Sequence, residues 1–123
     1  MSERKRILLV EDEPDIANVA IYWLEDAGYE VIHAENGQIA MEKVRSEKPD
    51  MVFLDIQIPI MTGDEVCAAI KTDDDLKHIP VVIVSASVDN IETKVAEAGG
   101  NAFLTKPFEE DGLLGMAQKY TQS

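Results

Sequence analysis

The chain has a single cysteine, Cys67, in 123 residues, so no internal disulfide can staple it. One thiol fits a reducing compartment, and a cytoplasmic setting is the expectation. Long apolar runs are also missing. The purely apolar stretches are a few residues long, against the roughly 20 that a membrane-spanning helix needs. The start, Met-Ser-Glu-Arg-Lys-Arg and then Ile7 to Val10, has neither a long apolar segment nor a small-residue cleavage site, which argues against a secretory leader. Basic residues are scarce. Eleven Lys and Arg face 24 Asp and Glu, for a net charge of −13, and such a balance excludes nucleic-acid binding through phosphate contacts. The two histidines, His33 and His78, have no Cys or His at ligand spacing and are assigned to surface or turn positions. There is no repeat, low-complexity tract or linker, so residues 1–123 are expected to form one domain.

The hydrophobic pattern is ordered. Short aliphatic runs at Ile7–Val10, Glu30–Ala34, Met51–Leu54, Val81–Val84 and Ala102–Leu104 alternate with helical periodicity. The first, third and fourth runs are apolar throughout, as parallel strands covered on both faces require. Between them, Ile16, Val19, Ala20, Trp23, Leu24 and Ala27 recur at helical spacing, with Pro14 in the first turn and Gly28 as a stop. Further helices are predicted near 38–47, 64–71 and 109–120, and one starting near Asp89, where Asp89 and Glu92 have capping-box spacing. Five βα units in series imply an α/β fold: a parallel five-stranded sheet, doubly wound, with helices on both faces.

In such a fold the ligand site lies beyond the carboxyl ends of the strands. The first run ends in Glu11-Asp12-Glu13, the third in Asp55, the fourth in Ser85 and the fifth in Thr105-Lys106. If those strands are neighbours, two or three carboxylates, a hydroxyl and an ammonium meet on one rim. Clustered carboxylates must either raise a pKa or recruit a cation, and an all-oxygen set favours a hard ion such as Mg²⁺. A carboxylate beside that ion can accept a phosphoryl group, with Lys106 neutralising the transferring oxygens. Taken alone, Glu11-Asp12-Glu13 reads better as an acidic helix start. Asp55 is harder to explain that way, because it closes an apolar strand. Asp73-Asp74-Asp75 is expected to be a solvated loop.

Four segments carry a resemblance along nearly the full length: L-L-V-E-D-E-P at 8–14, F-L-D-I-Q-I-P-I-M-T-G at 53–63, V-V-I-V-S-A at 81–86 and F-L-T-K-P-F at 103–108. The chain resembles a receiver domain of two-component response regulators, of the single-domain, chemotaxis-like type. That resemblance implies a flavodoxin-like (βα)5 sandwich with strand order 2-1-3-4-5. It further implies that Asp55 is the phosphoryl acceptor and a metal ligand, that Asp12 ligates Mg²⁺ directly and that Glu11 holds it through water. Gln57 would add a main-chain carbonyl, and Mn²⁺ would substitute for Mg²⁺. Ser85 and Lys106 would bind phosphoryl oxygens, and Pro107 matches the cis-proline that turns the lysine into the site. Ser85 and Phe103 match the switch pair that rearranges the surface of the fourth helix, fifth strand and fifth helix.

The departures are Ser85 for the commoner threonine, Phe103 for tyrosine and Ile58 for methionine. None removes the acceptor, metal or lysine functions. Gln57 and Ser87 match positions that tune phosphate loss, and neither is a carboxylate, so slow to moderate autodephosphorylation is expected. The implied partners are a sensor histidine kinase or histidine phosphotransfer protein and a downstream target protein. Neither nucleic acid nor membrane is implied, and the expected state is a monomer or a phosphorylation-dependent dimer. A stand-alone switch is the expectation. A haloacid-dehalogenase-type phosphatase would need a second acid where Gln57 stands, and a pseudo-receiver would have lost acceptor, acid pair or lysine.

Overall fold

The computed structural model describes residues 4–58, 60–86 and 99–121. Five strands, β1 (Arg6–Val10), β2 (Glu30–Ala34), β3 (Met51–Asp55), β4 (Val81–Ser85) and β5 (Ala102–Thr105), form one parallel sheet in the order β2-β1-β3-β4-β5. This is the expected doubly wound order. Helices α1 (Pro14–Asp26), α2 (Gly37–Glu47), α3 (Gly63–Thr72) and the C-terminal helix (Glu110–Thr121) flank it. The predicted helix starting near Asp89 lies outside the described residues.

Side-chain alternation along the central strands divides the core in two. Leu8, Val10, Val52, Leu54 and Ile83 meet Ala40, Met41 and Val44 of α2 and Val66 and Ile70 of α3. On the opposite face Ile7, Leu9, Met51, Phe53 and Val82 meet Ala17, Ala20 and Leu24 of α1 and Leu113 and Ala117 of the C-terminal helix. Strands β3 and β4 are buried at every residue, which is why they read as unbroken apolar runs.

Local signals set the element ends. Gly28, at φ 102°, follows the C-cap of α1 in the left-handed region that glycine enters without a Cβ penalty. Asn36 caps α2 by accepting from Ile39 N–H at 2.8 Å. Thr62 and Glu65 form a capping box at the start of α3. Two positions of the predicted α1 stripe fail. Val19 is 45% exposed and Ala27, at the C-cap, is exposed as well, while Ala17 takes a buried position.

The rim at the amino ends of the strands is closed by polar contacts. Arg6 bonds Glu30 at 2.6 Å and also pairs with Glu47, and its main-chain N–H donates to Asp50 at 2.7 Å. Thr121 reaches Tyr29, which precedes β2, through their hydroxyls at 3.5 Å. Lys71 Nζ donates to the Ile79 carbonyl at 2.7 Å, with its ammonium pKa lowered by burial. Asp73-Asp74-Asp75 is a turn in which Asp73 accepts from Asp75 N–H and Asp74 pairs with Lys77. As expected, the segment is a loop, with Asp74 and Asp75 exposed.

Candidate functional site

Glu11 and Asp55 come together because both continue the same side of their strands. Residues 7, 9 and 11 share one face, as do 51, 53 and 55. Glu11 extends the β1–β2 ladder by one bond, from its N–H to the Ala34 carbonyl at 3.0 Å. Beyond β5, Lys106 N–H donates to the Ser85 carbonyl at 2.9 Å, and the Lys106–Pro107 peptide is cis. The Lys106 ammonium sits between the two acids, 2.5 Å from Asp55 Oδ2 and 2.7 Å from Glu11 Oε1. Glu11 is 3% and Asp55 4% exposed. The other carboxylate oxygens are also engaged: Asp55 Oδ1 accepts from Gln57 N–H at 3.0 Å and Glu11 Oε2 from Glu13 N–H at 3.2 Å.

Burial pushes the Glu11 carboxyl above the usual glutamate range, and the negative charge of Asp55 pushes the same way against the opposing Lys106 bond. For Lys106, burial favours the neutral form, but its bonds to Asp55 and Glu11 prevail and raise its pKa. Oxygens of Glu11, Asp12 and Asp55 lie within 4.8 Å of one another. Three carboxylates against one ammonium leave an excess of negative charge. An all-oxygen, partly exposed donor set of this kind fits a hard divalent ion that keeps some of its waters. The fit is therefore chemical as well as geometric.

Ser85 ends β4 buried on the same rim. Gln57 is exposed in the loop after β3. Half-buried Phe103 packs against the core on the α2–α3 side. Ser87 and Pro59 lie outside the described residues. Cys67, expected to be a packing residue, is buried, and burial pushes its thiol up to about 11. It is a packing residue rather than a nucleophile.

Three features were not anticipated. His33 is exposed, yet its Nε2 lies 2.8 Å from the Glu11 carbonyl. Gly63 packs so tightly that a Cβ there would sit 2.5 Å from the Asp55 carbonyl oxygen. A shallow groove of about 220 Å³ is lined by Ile16, Val19 and Trp23 of α1 and by Lys106, Pro107 and Phe108. Only the helix pattern hinted at the groove, through an apolar stripe on α1 wider than the core could cover.

The site is an acidic cluster paired with one lysine at the carboxyl rim of a doubly wound sheet. Residues 7–118 match the response regulator receiver domain family, and the chain belongs to that family. It is 32% identical over 117 residues to the polar-differentiation response regulator DivK of Brucella anthropi, covering 94% of this chain and 95% of that protein. The chemotaxis response regulator CheY4 of Vibrio cholerae superposes with a TM-score of 0.90 at 28% identity, over 96% of this chain and 99% of that one. The receiver domain of a Pseudomonas aeruginosa sensor histidine kinase, solved with a magnesium ion in its active-site cleft, gives a TM-score of 0.90 at 25% identity, over 98% of this chain and all of that one. The protein is thus a receiver of two-component signalling, the family that works with histidine kinases and downstream targets. No helix among the described residues is long and apolar enough to cross a membrane.

Proposed function

We propose that Asp55 accepts a phosphoryl group from a phosphohistidine of a sensor histidine kinase or histidine phosphotransfer protein, and that the charge change switches a protein-binding surface. The observation that carries this reading is a buried aspartate at the end of β3, paired with Lys106 and adjoining Glu11 and Asp12. A carboxylate oxygen of Asp55 attacks phosphorus as the P–N bond to the donor imidazole breaks. The electron pair leaves with the ring nitrogen, giving an acyl phosphate and a histidine. Glu11, Asp12, Asp55 and the Gln57 main-chain carbonyl would hold Mg²⁺, or Mn²⁺ in its place. The ion would supply positive charge to the phosphoryl oxygens.

Lys106 contributes the chain's own share of that charge. Its ammonium already faces the acceptor and passes to a phosphoryl oxygen once the acyl phosphate forms. The Ser85 hydroxyl binds another, and Phe103 follows it inward, changing the surface around β5. The protein catalyses only its own phosphorylation and the hydrolysis of its own acyl phosphate. Intact-protein mass after incubation with acetyl phosphate tests the acceptor. The wild type is expected to gain one phosphoryl group only with Mg²⁺, and the Asp55→Asn variant none. A wild type that gains none at the shortest times would sink the assignment.

The α1 groove suits the donor. Apart from Asp15 and Lys106 its lining is apolar, it shares Lys106 with the acceptor site, and exposed Val19 lines it. A helix carrying the phosphohistidine could rest there with its imidazole facing Asp55. Val19→Asp is expected to slow transfer from a phosphorylated histidine kinase by about tenfold, the cost of losing one well-packed interface residue. Its reaction with acetyl phosphate should be unchanged. Equal slowing of both reactions would place the effect in the site and not in docking.

A further inference from the structure

We infer that His33 is a positioning residue for the cation site, holding the turn that carries Glu11 and Asp12 through a bond to the main chain. His33 is the penultimate residue of β2, the edge strand, and contributes no oxygen to the acidic cluster itself. Its Nε2 lies 2.8 Å from the Glu11 carbonyl oxygen. A carbonyl can only accept, so this nitrogen carries the proton and donates. The next residue of β2, Ala34, accepts from Glu11 N–H at 3.0 Å. The two peptide planes that flank the Glu11 Cα are therefore each tied to β2, one by a side chain and one by the main chain.

The Glu11 carbonyl belongs to the same rigid plane as the Asp12 N–H. Fixing the direction of that carbonyl fixes where the Asp12 Cα stands, and with it the origin of an exposed carboxylate that no burial restrains. Glu11 is held at its other end by Lys106 and by Glu13 N–H. Asp12 depends on the backbone alone. A bond to the preceding peptide is thus the means available for holding its carboxylate near Glu11 and Asp55. The role is one of orientation, since His33 touches neither the acceptor nor the cluster oxygens.

This inference rests on reading Glu11, Asp12 and Asp55 as a divalent-cation site. The test is binding of Mn²⁺ alone, read from the loss of the free-ion electron paramagnetic resonance signal. His33→Phe keeps a flat ring and removes the donor, while His33→Gln restores an N–H at similar reach. The Phe variant is expected to weaken Mn²⁺ binding by about three- to tenfold, the worth of one such bond. The Gln variant should bind like the wild type. Thermal midpoints of the metal-free proteins should differ by no more than a few degrees, the worth of one exposed bond. A Phe variant that binds as tightly as the wild type would overturn the inference, as would a Gln variant as weak as the Phe variant. A wild type that binds no Mn²⁺ would instead overturn the cation reading beneath it.

Discussion

Replacing Lys106 by alanine is expected to slow phosphorylation of Asp55 by about 10²-fold, the lower end of what one preorganised charge contributes, because a bound cation shares the task. The same change should destabilise the metal-free protein at neutral pH by about 3 kcal/mol, since it leaves buried carboxylates without their counter-ion. The sign follows from the two pKa directions. The Lys106 ammonium is held above its ordinary value, so its contribution is complete at neutral pH and is lost only as pH rises through its folded value. Without it, Glu11 keeps the burial and the Asp55 repulsion that raise its pKa and loses the bond that lowers it. The folded variant then holds a proton that the unfolded chain releases, and stability falls as pH rises from below the glutamate range to neutrality. Urea midpoints at acidic and neutral pH, with and without Mg²⁺, check this. A Lys106→Ala protein as stable as the wild type at neutral pH without metal would show that the lysine does not balance these acids.

Gly63→Ala is expected to lower stability by about 2–3 kcal/mol, the cost of overpacking a site that cannot yield. The added Cβ would meet the Asp55 carbonyl oxygen and the Ile56 Cα at 2.5 Å, and both are backbone atoms of the segment that carries Asp55. Gly63 N–H also donates to the Ile56 carbonyl at 3.0 Å, so the two segments cannot simply part. The clash therefore bears on Asp55 itself, and phosphorylation by acetyl phosphate should slow along with the loss of stability. Gly115 provides the contrast. Nothing lies within 4 Å of a Cβ placed there, so Gly115→Ala should stabilise the C-terminal helix by up to about 1 kcal/mol. Thermal midpoints of the two variants should move in opposite directions. Equal losses would mean that close approach to Asp55 is not what selects glycine at 63.

Much of this arrangement is legible in the chain because each strand announces its own end. Asp55, Ser85 and Thr105 follow apolar runs directly, and the structure extends those strands by one residue to include them. The boundary of α3 also has a signature in the chain, Thr62 and Glu65 at capping-box spacing ahead of its apolar face. Val19 illustrates the opposite case. Helical spacing marks a stripe but not its width, and α1 carries more apolar surface than the sheet covers. The bond from His33 could not be read at all. It joins a side chain to a main-chain oxygen 22 positions earlier, and only the pairing of β1 with β2 brings them together. Gly63 is visible as a residue, but its reason, a close approach to the Asp55–Ile56 backbone, exists only in three dimensions.

Because the C-terminal helix runs back along the sheet, Thr121 finishes beside Tyr29, on the rim where Arg6 ties Glu30 and Glu47. Both ends of the described chain therefore emerge on the side away from Asp55. A fluorescent protein, an affinity tag or a surface tether joined at either end would hang below the sheet and leave the approach to Asp55 open. For an assay that must immobilise the protein and still present it to a kinase, the two ends are equivalent points of attachment.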